Sequence, residues 1–141
     1  MLWKYPFTLE ALQTTSANTL VDHLGIEFTE FGDDYLTARM PVDHRTVQPV
    51  RILHGGASVA LAETLGSVAS VLCLDDPATQ TPVGVEINAN HLAPAKSGFV
   101  YGTAKPLRIG KRMHVWNIEI KDEAGQLICV SRITIAVIAR R

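Results

Sequence analysis

Cysteine is scarce in this chain of 141 residues, with two in all, and neither falls in a CxxC pair or at metal-ligand spacing. Cys73 and Cys129 sit inside apolar runs. That pattern excludes a disulfide-stapled scaffold and a zinc centre, and reads as two buried free thiols in a reducing compartment. Charge is sparse and balanced: 13 basic and 14 acidic residues leave a formal net charge of -1. Apart from Arg108, Lys111, Arg112 and the terminal Arg140 and Arg141 there is no basic block, which excludes bulk attraction to nucleic acid or an anionic membrane. The opening MLWKYPFTLEAL lacks a cationic start followed by an apolar core, so it is not a secretory signal and a cytoplasmic location is expected. Walker loop, GxGxxG, HExxH and GxSxG are all absent. No metal and no cofactor are expected. What the chain has in excess is apolar surface, 47% hydrophobic residues against 19% charged. That is more than a small monomer hides, and it predicts a partner subunit.

The most distinctive segment is residues 54–74, HGGASVALAETLGSVASVLCL. Ala, Leu, Val and Ser without proline predict one helix of roughly 30 Å. Apolar side chains on every face predict burial all round, while Glu63, Thr64 and Ser67 interrupt the run too much for a membrane span. Upstream, Thr8 can cap a helix with Leu9, Leu12, Leu20, Val21 and Leu24, broken over residues 14–18 and stopped at Gly25. Residues 26–31 and 35–42 read as strands about a Gly32-Asp33-Asp34 turn. Four β-rich segments follow the long helix, at 81–92, 98–107, 113–121 and 126–138. Their short connections predict that sequence neighbours pair antiparallel. Trp116, Ile118 and Ile120 share one strand face, with Asn117, Glu119 and Lys121 on the other. The last strand, apolar on both faces, belongs at the sheet centre or an interface. The expected fold is α+β, one domain over 1–141, an antiparallel sheet wrapped around one long central helix.

A carboxylate in an apolar helix is costly unless paired, hydrogen-bonded or protonated, so Glu63 requires either a catalytic role or a buried arginine partner. Gly55 and Gly56 leave first-turn N–H groups open to an acyl oxygen at the positive end of the helix dipole, or they only permit a sharp turn. His54 either hydrogen-bonds substrate or caps the turn, and Gln48 upstream is a possible second donor. Glu63 follows His54 by about two and a half helical turns, which sets the two on opposite sides and roughly 13 Å apart along the axis. The simplest site that uses both joins the helix start of one subunit to the helix middle of a two-fold mate, an obligate dimer. Ser67, four residues after Glu63, shares its face and is placed to orient the carboxylate or a water. As a nucleophile Ser67 lacks a histidine at helical spacing. His91 shares a strand face with Ile87 and Ala89, opposite Glu86, Asn88 and Asn90, and reads as structural. Arg108, Lys111 and Arg112 around Gly110 form a cationic turn that either holds phosphates or blunts a sheet edge.

With Gln48, LHGGASVALAETLGSVAS, VGVEINANHL and KPLRIGKR in this order, the chain resembles the hotdog-fold acyl-CoA thioesterases over nearly its whole length. The nearest resemblance is to the branch acting on aromatic thioesters, which includes enzymes of menaquinone synthesis. It implies a hotdog fold assembled as a homodimer or a dimer of dimers. Glu63 would be nucleophile or general base, and the Gly55 N–H would polarise the thioester carbonyl. Gln48 and His54 would contact the acyl group or its carbonyl, and Ser67 would help place the attacking water or the acyl group. The substrate would be a coenzyme A or acyl-carrier-protein thioester, with no cofactor. The nucleotide end of CoA would follow Gly84, then His91, Leu92, Ala93 and Pro94, and the turn of Arg108, Ile109, Gly110, Lys111, Arg112 and Met113. The chain departs from relatives in the loop at 75–80 and at Ala93-Pro94, where several carry a basic residue. Two other readings are a dehydratase or hydratase on the same fold, which needs a histidine and acid pair for proton transfer, and a non-catalytic acyl-CoA-binding module.

Overall fold

The computed structural model describes residues 1–141. Helix α1 (Leu9–Thr15) is capped as its sequence predicts, Thr8 Oγ1 accepting the Ala11 N–H at 3.1 Å. The chain breaks, with Asn18 at φ 60, resumes as α2 (Leu20–His23) and turns at Gly25 with φ 71, where glycine carries no Cβ penalty. Strands β1 (Glu27–Phe31) and β2 (Leu36–Pro41) pair antiparallel. The long helix α3 (Gly55–Val71) follows, and then β3 (Gln80–His91), β4 (Phe99–Ile109), β5 (Met113–Asp122) and β6 (Leu127–Ala139). Every pairing is antiparallel, in the order β1-β2-β4-β5-β6-β3.

That order corrects one expectation. β3 and β4 are joined by residues 92–98 alone, yet they do not pair. β6, apolar on both faces, takes the inner place beside β3, and β3 becomes an edge. The sheet packs against α3 from β2, β3, β4, β5 and β6, and this curl brings the ends of β3 and β4 to the helix start. The link crosses there, with Ala95 C=O accepting the Leu53 N–H and Gly98 C=O the Val42 N–H, both at 2.8 Å.

The sheet grips α3 on one side. Ala57, Leu61, Ala62, Leu65 and Ala69 are buried against Leu36, Met40, Val100, Trp116, Ile118 and Ile133. Glycines let the layers touch: a Cβ on Gly66 would lie 2.5 Å from Ile133 Cγ2, and one on Gly102 2.8 Å from Leu65 Cδ1. The opposite stripe is uncovered, with Gly56, Glu63 and Val71 exposed and Ala60 and Ser67 half-buried. The helix is therefore not buried all round in one chain. One sheet face covers about half a helix, so a sequence apolar on every side needs a second cover. The N-terminus closes the end of the core, Trp3 stacking on Trp116 with ring centroids 6.4 Å apart and its Nε1–H donating to Gly32 C=O at 2.7 Å. Cys73 and Cys129 are buried free thiols, and burial pushes Cys73 up to about 12. No helix is long and apolar enough to cross a membrane.

Candidate active site

The loop from β2 into α3 is anchored before it presents any group. Arg45 forms an ion pair with Asp43 at 2.7 Å, which holds the Asp43 carboxyl down at about 2. Thr46 Oγ1 donates to Pro41 C=O at 2.6 Å, and Thr46 C=O accepts the His54 N–H at 2.8 Å. Gln48 Oε1 accepts the Val50 N–H at 2.6 Å, so its Nε2 is the end left to donate outward. His54, in extended conformation, is the N-cap of α3.

A helix start has several N–H groups without intrahelical acceptors, and here all but one are occupied. His54 Nδ1 accepts the Gly56 N–H at 2.7 Å, and His54 C=O accepts those of Ala57 and Ser58 at 3.0 and 3.2 Å. The Gly55 N–H has no acceptor. It is aligned with the positive end of the helix dipole, in the wall of a cleft of about 460 Å³. Gln48, Ser58, His91, Leu92, Ala93 and Pro94 also line this cleft. His54 thus caps the helix through Nδ1, the Gly56 N–H is taken by that cap, and the Gly55 N–H is left free. A Cβ on Gly55 would meet His91 Nε2 at 2.8 Å, so the glycine also makes room for that ring.

His91 is accordingly not a core histidine. Strand alternation places it on the inward face with Ile87 and Ala89, but β3 ends there, and past the end of the sheet inward means into the cleft. The contributions of Ile52, Ser58 and Ile128 to the wall had no local signal.

Glu63 lies on the uncovered stripe, exposed, with Oε1 3.0 Å from where a Gly84 Cβ would stand. A register irregularity between Gly84 and Glu86 accompanies a hollow of about 210 Å³, lined by Glu63, Gly84, Val85, Glu86, Ile87 and Ile133. The ion pairs of the chain are Lys4–Asp75, Arg39–Glu27 and Arg45–Asp43, so the buried arginine partner for Glu63 is overturned. Ser67 shares the stripe, half-buried. The His54 ring faces a separate hollow of about 290 Å³ with Leu20, Leu24, Val47 and Ala60.

Arg108, Ile109, Gly110, Lys111, Arg112 and Met113 form the β4–β5 hairpin, closed by the Gly110 N–H donating to Met113 C=O at 2.9 Å. β4 and β5 are inner strands, so these cations do not blunt a sheet edge. The hairpin lies beside Cys73 and Leu74 at the C-terminal end of α3. One chain therefore holds its candidate groups in three places: an N–H donor with Gln48 and residues 91–94 at the helix start, Glu63 with Gly84 and Ser67 at its middle, and the cationic hairpin at its far end. A lone amide donor in an apolar cleft polarises a carbonyl, and an unpaired carboxylate activates water or attacks carbon; acyl transfer to water uses both.

Residues 51–129, which carry the free Gly55 N–H and Glu63, match the family model of the Thioesterase superfamily. The chain belongs to this superfamily. The thioesterase is 53% identical over 138 residues to the 1,4-dihydroxy-2-naphthoyl-CoA hydrolase of Escherichia coli, covering 98% of this chain and 100% of that protein. It is also 53% identical over 137 residues to the proofreading thioesterase of Cronobacter turicensis, covering 97% and 98%. A crystal structure of a thioesterase from Haemophilus influenzae has the same fold, with a TM-score of 0.95 and 54% identity over 99% of this chain and 96% of that one. The thioesterase is thus a hotdog-fold thioester hydrolase, and the hydratase and non-catalytic readings give way.

Proposed function

We propose that this thioesterase hydrolyses an aromatic acyl-CoA, with medium acyl chains as lesser substrates, at two equivalent sites shared across a homodimer. The observation that carries it is the Gly55 N–H, the one first-turn donor without a partner, in the wall of a mainly apolar cleft. The thioester carbonyl oxygen sits on that N–H with Gln48 Nε2 beside it, and both bonds strengthen as the oxygen becomes an oxyanion. Glu63 of the partner subunit either takes a proton from water as the water attacks, or attacks the carbonyl carbon itself to give an anhydride that water then cleaves. The C–S bond breaks in both routes, and CoA leaves as a thiolate that is then protonated. Ser67 orients the carboxylate or water. His54 acts through its cap and through the ring that faces the neighbouring hollow.

The dimer reading is supported by β3, a twelve-residue edge strand with Val85 60% exposed, and by the uncovered stripe of α3. Two copies paired antiparallel along this edge lay their helices antiparallel, so that Glu63 of each approaches Gly55 of the other. The same pairing brings each hairpin of residues 108–113 toward the partner's residues 91–94, a continuous track for the nucleotide end of CoA past Gly84. A dimer of dimers is a further assembly of the same unit. The likeness to a 1,4-dihydroxy-2-naphthoyl-CoA hydrolase supports an aromatic acyl-CoA substrate, and the proposal sets the reaction in menaquinone synthesis, in the cytoplasm and without a cofactor. An acyl-carrier thioester is the competing substrate.

Glu63→Gln is expected to lower kcat on benzoyl-CoA and naphthoyl-CoA by roughly 10²- to 10⁴-fold while the dimer persists, as read by free-thiol release and sedimentation. Near-wild-type turnover by that variant overturns the assignment. Single turnover in heavy-oxygen water separates the routes, since only the anhydride path labels Glu63.

A further inference from the structure

One buried polar chain takes no part in the reaction above. Ser70, in the last turn of α3, and Trp116 on β5 are fully buried, and His114 on the same β5 face is 2% exposed. Trp116 Nε1–H donates to Ser70 Oγ at 2.8 Å, and that oxygen lies 2.9 Å from His114 Nδ1. An indole only donates, so Ser70 Oγ accepts from Trp116 and makes a second hydrogen bond with His114 Nδ1. Burial lowers the His114 pKa and favours the neutral ring. His114 directly follows Met113, where the hairpin enters β5, and its ring borders the same cavity as Gly110.

A serine beside a histidine suggests a nucleophile and its base. Here the serine oxygen is sealed from solvent and already takes an indole hydrogen, so no acyl group reaches it. The bonds instead tie the end of the central helix to β5 at the root of the cationic hairpin. Under that hairpin lies a cavity of about 200 Å³ lined by Lys4, Cys73, Gly110, Lys111 and His114 among others. Close-packed side chains therefore do not set the hairpin's height on this side. Directional bonds do, together with Gly110 to Met113 and the Val137 N–H to Arg112 C=O at 2.9 Å. Polar groups in a core this apolar cost stability unless each is satisfied, and what a satisfied chain adds is direction.

We infer that Trp116, Ser70 and His114 form a positioning relay that sets the Arg108–Lys111–Arg112 hairpin for the nucleotide end of the substrate. The inference rests on the reading that this hairpin contacts CoA phosphates. The relay residues touch no reacting atom, so their loss weakens capture of CoA and spares chemistry.

The test compares one aryl group carried by CoA with the same group carried by N-acetylcysteamine, which keeps the thioester and lacks the nucleotide. In Ser70→Ala and His114→Gln, KM for the CoA ester is expected to rise roughly 3- to 10-fold, with kcat held within about twofold and both constants for the truncated ester unchanged. Trp116→Phe, which removes the N–H and keeps most of the aromatic bulk, gives the same split if either variant is too unstable to purify. The doubly substituted Arg108→Ala/Lys111→Ala enzyme is the reference and should raise KM for the CoA ester alone. Equal changes on both esters, or none on either, overturn the relay if the reference enzyme still discriminates. A reference enzyme that treats the two esters alike removes the nucleotide contact itself, and the relay with it.

Discussion

Gly55 meets two demands at once: a backbone N–H without an acceptor, and space for the His91 ring 2.8 Å from a would-be Cβ. Proline separates them. Gly55 is the first helical residue and His54 before it is extended, at φ -67 and ψ 131, the setting in which proline is tolerated. Gly55→Pro in a His91→Ala background, which makes room for the new ring, deletes the proposed oxyanion donor and keeps the helix. Its kcat is expected to fall roughly 10²- to 10³-fold below that of His91→Ala alone, with unchanged helical circular dichroism. Retained turnover would move the oxyanion site elsewhere. Glu63 is the counterpart, an acid at the surface of its own chain with Gly84 beside its carboxylate. Sequence read this residue as a carboxylate in grease; its own chain leaves it at an unfinished surface.

At the scale of elements, α3 is placed by the residues that let β6 come close. A Cβ at Gly66 would press within 2.5 Å of Ile133 Cγ2, a branch point that cannot swing aside. Alanine gains about 1 kcal/mol of helix propensity over glycine, whereas overpacking of a tight core costs about 1–3 kcal/mol. Gly66→Ala is therefore expected to be net destabilising by about 1 kcal/mol, seen as a lower urea midpoint with unchanged m. An equal or higher midpoint would mean that α3 rides looser on the sheet than described. The His54 loop is the other fixed element, since Asp43–Arg45, Thr46–Pro41 and His54–Thr46 hold it before any substrate arrives. The cleft at the helix start is thus preformed, and its donor need not be assembled on binding.

For the molecule as a whole, what matters is that a single chain keeps its donor and its acid in different hollows. The proposed two-fold dimer would join them in trans, and that has a consequence no single-chain site shares. Mixing Glu63→Gln with the Gly55→Pro/His91→Ala variant under subunit exchange should restore activity that neither has alone. Random pairing makes half the dimers mixed, each with one site free of substitutions in both contributing chains, so recovery approaches about a quarter of the wild-type rate if His91 acts on the Gly55 side. Activity that stays at the sum of the parents would show that each chain carries a whole site.

Local pattern was enough for the elements. Thr8 caps α1, the chain breaks near Asn18 and turns at Gly25, α3 begins after His54, and β5 alternates about Trp116, Ile118 and Ile120, because capping, turn geometry and side-chain period are properties of short stretches. The motif from His54 through Glu63 likewise carried the family, and helical spacing alone set His54 and Glu63 apart. Tertiary structure decided the rest. It sent β3 to the edge through a short link, left Glu63 without an arginine, set His91, which strand alternation alone read as structural, beside the cleft, and left Gly55, which the resemblance had named, with the free N–H by spending that of Gly56 on the His54 ring. Periodicity records the side on which a residue stands; what stands opposite depends on how the sheet curls and which donors find acceptors first, and those partners are far away in the chain.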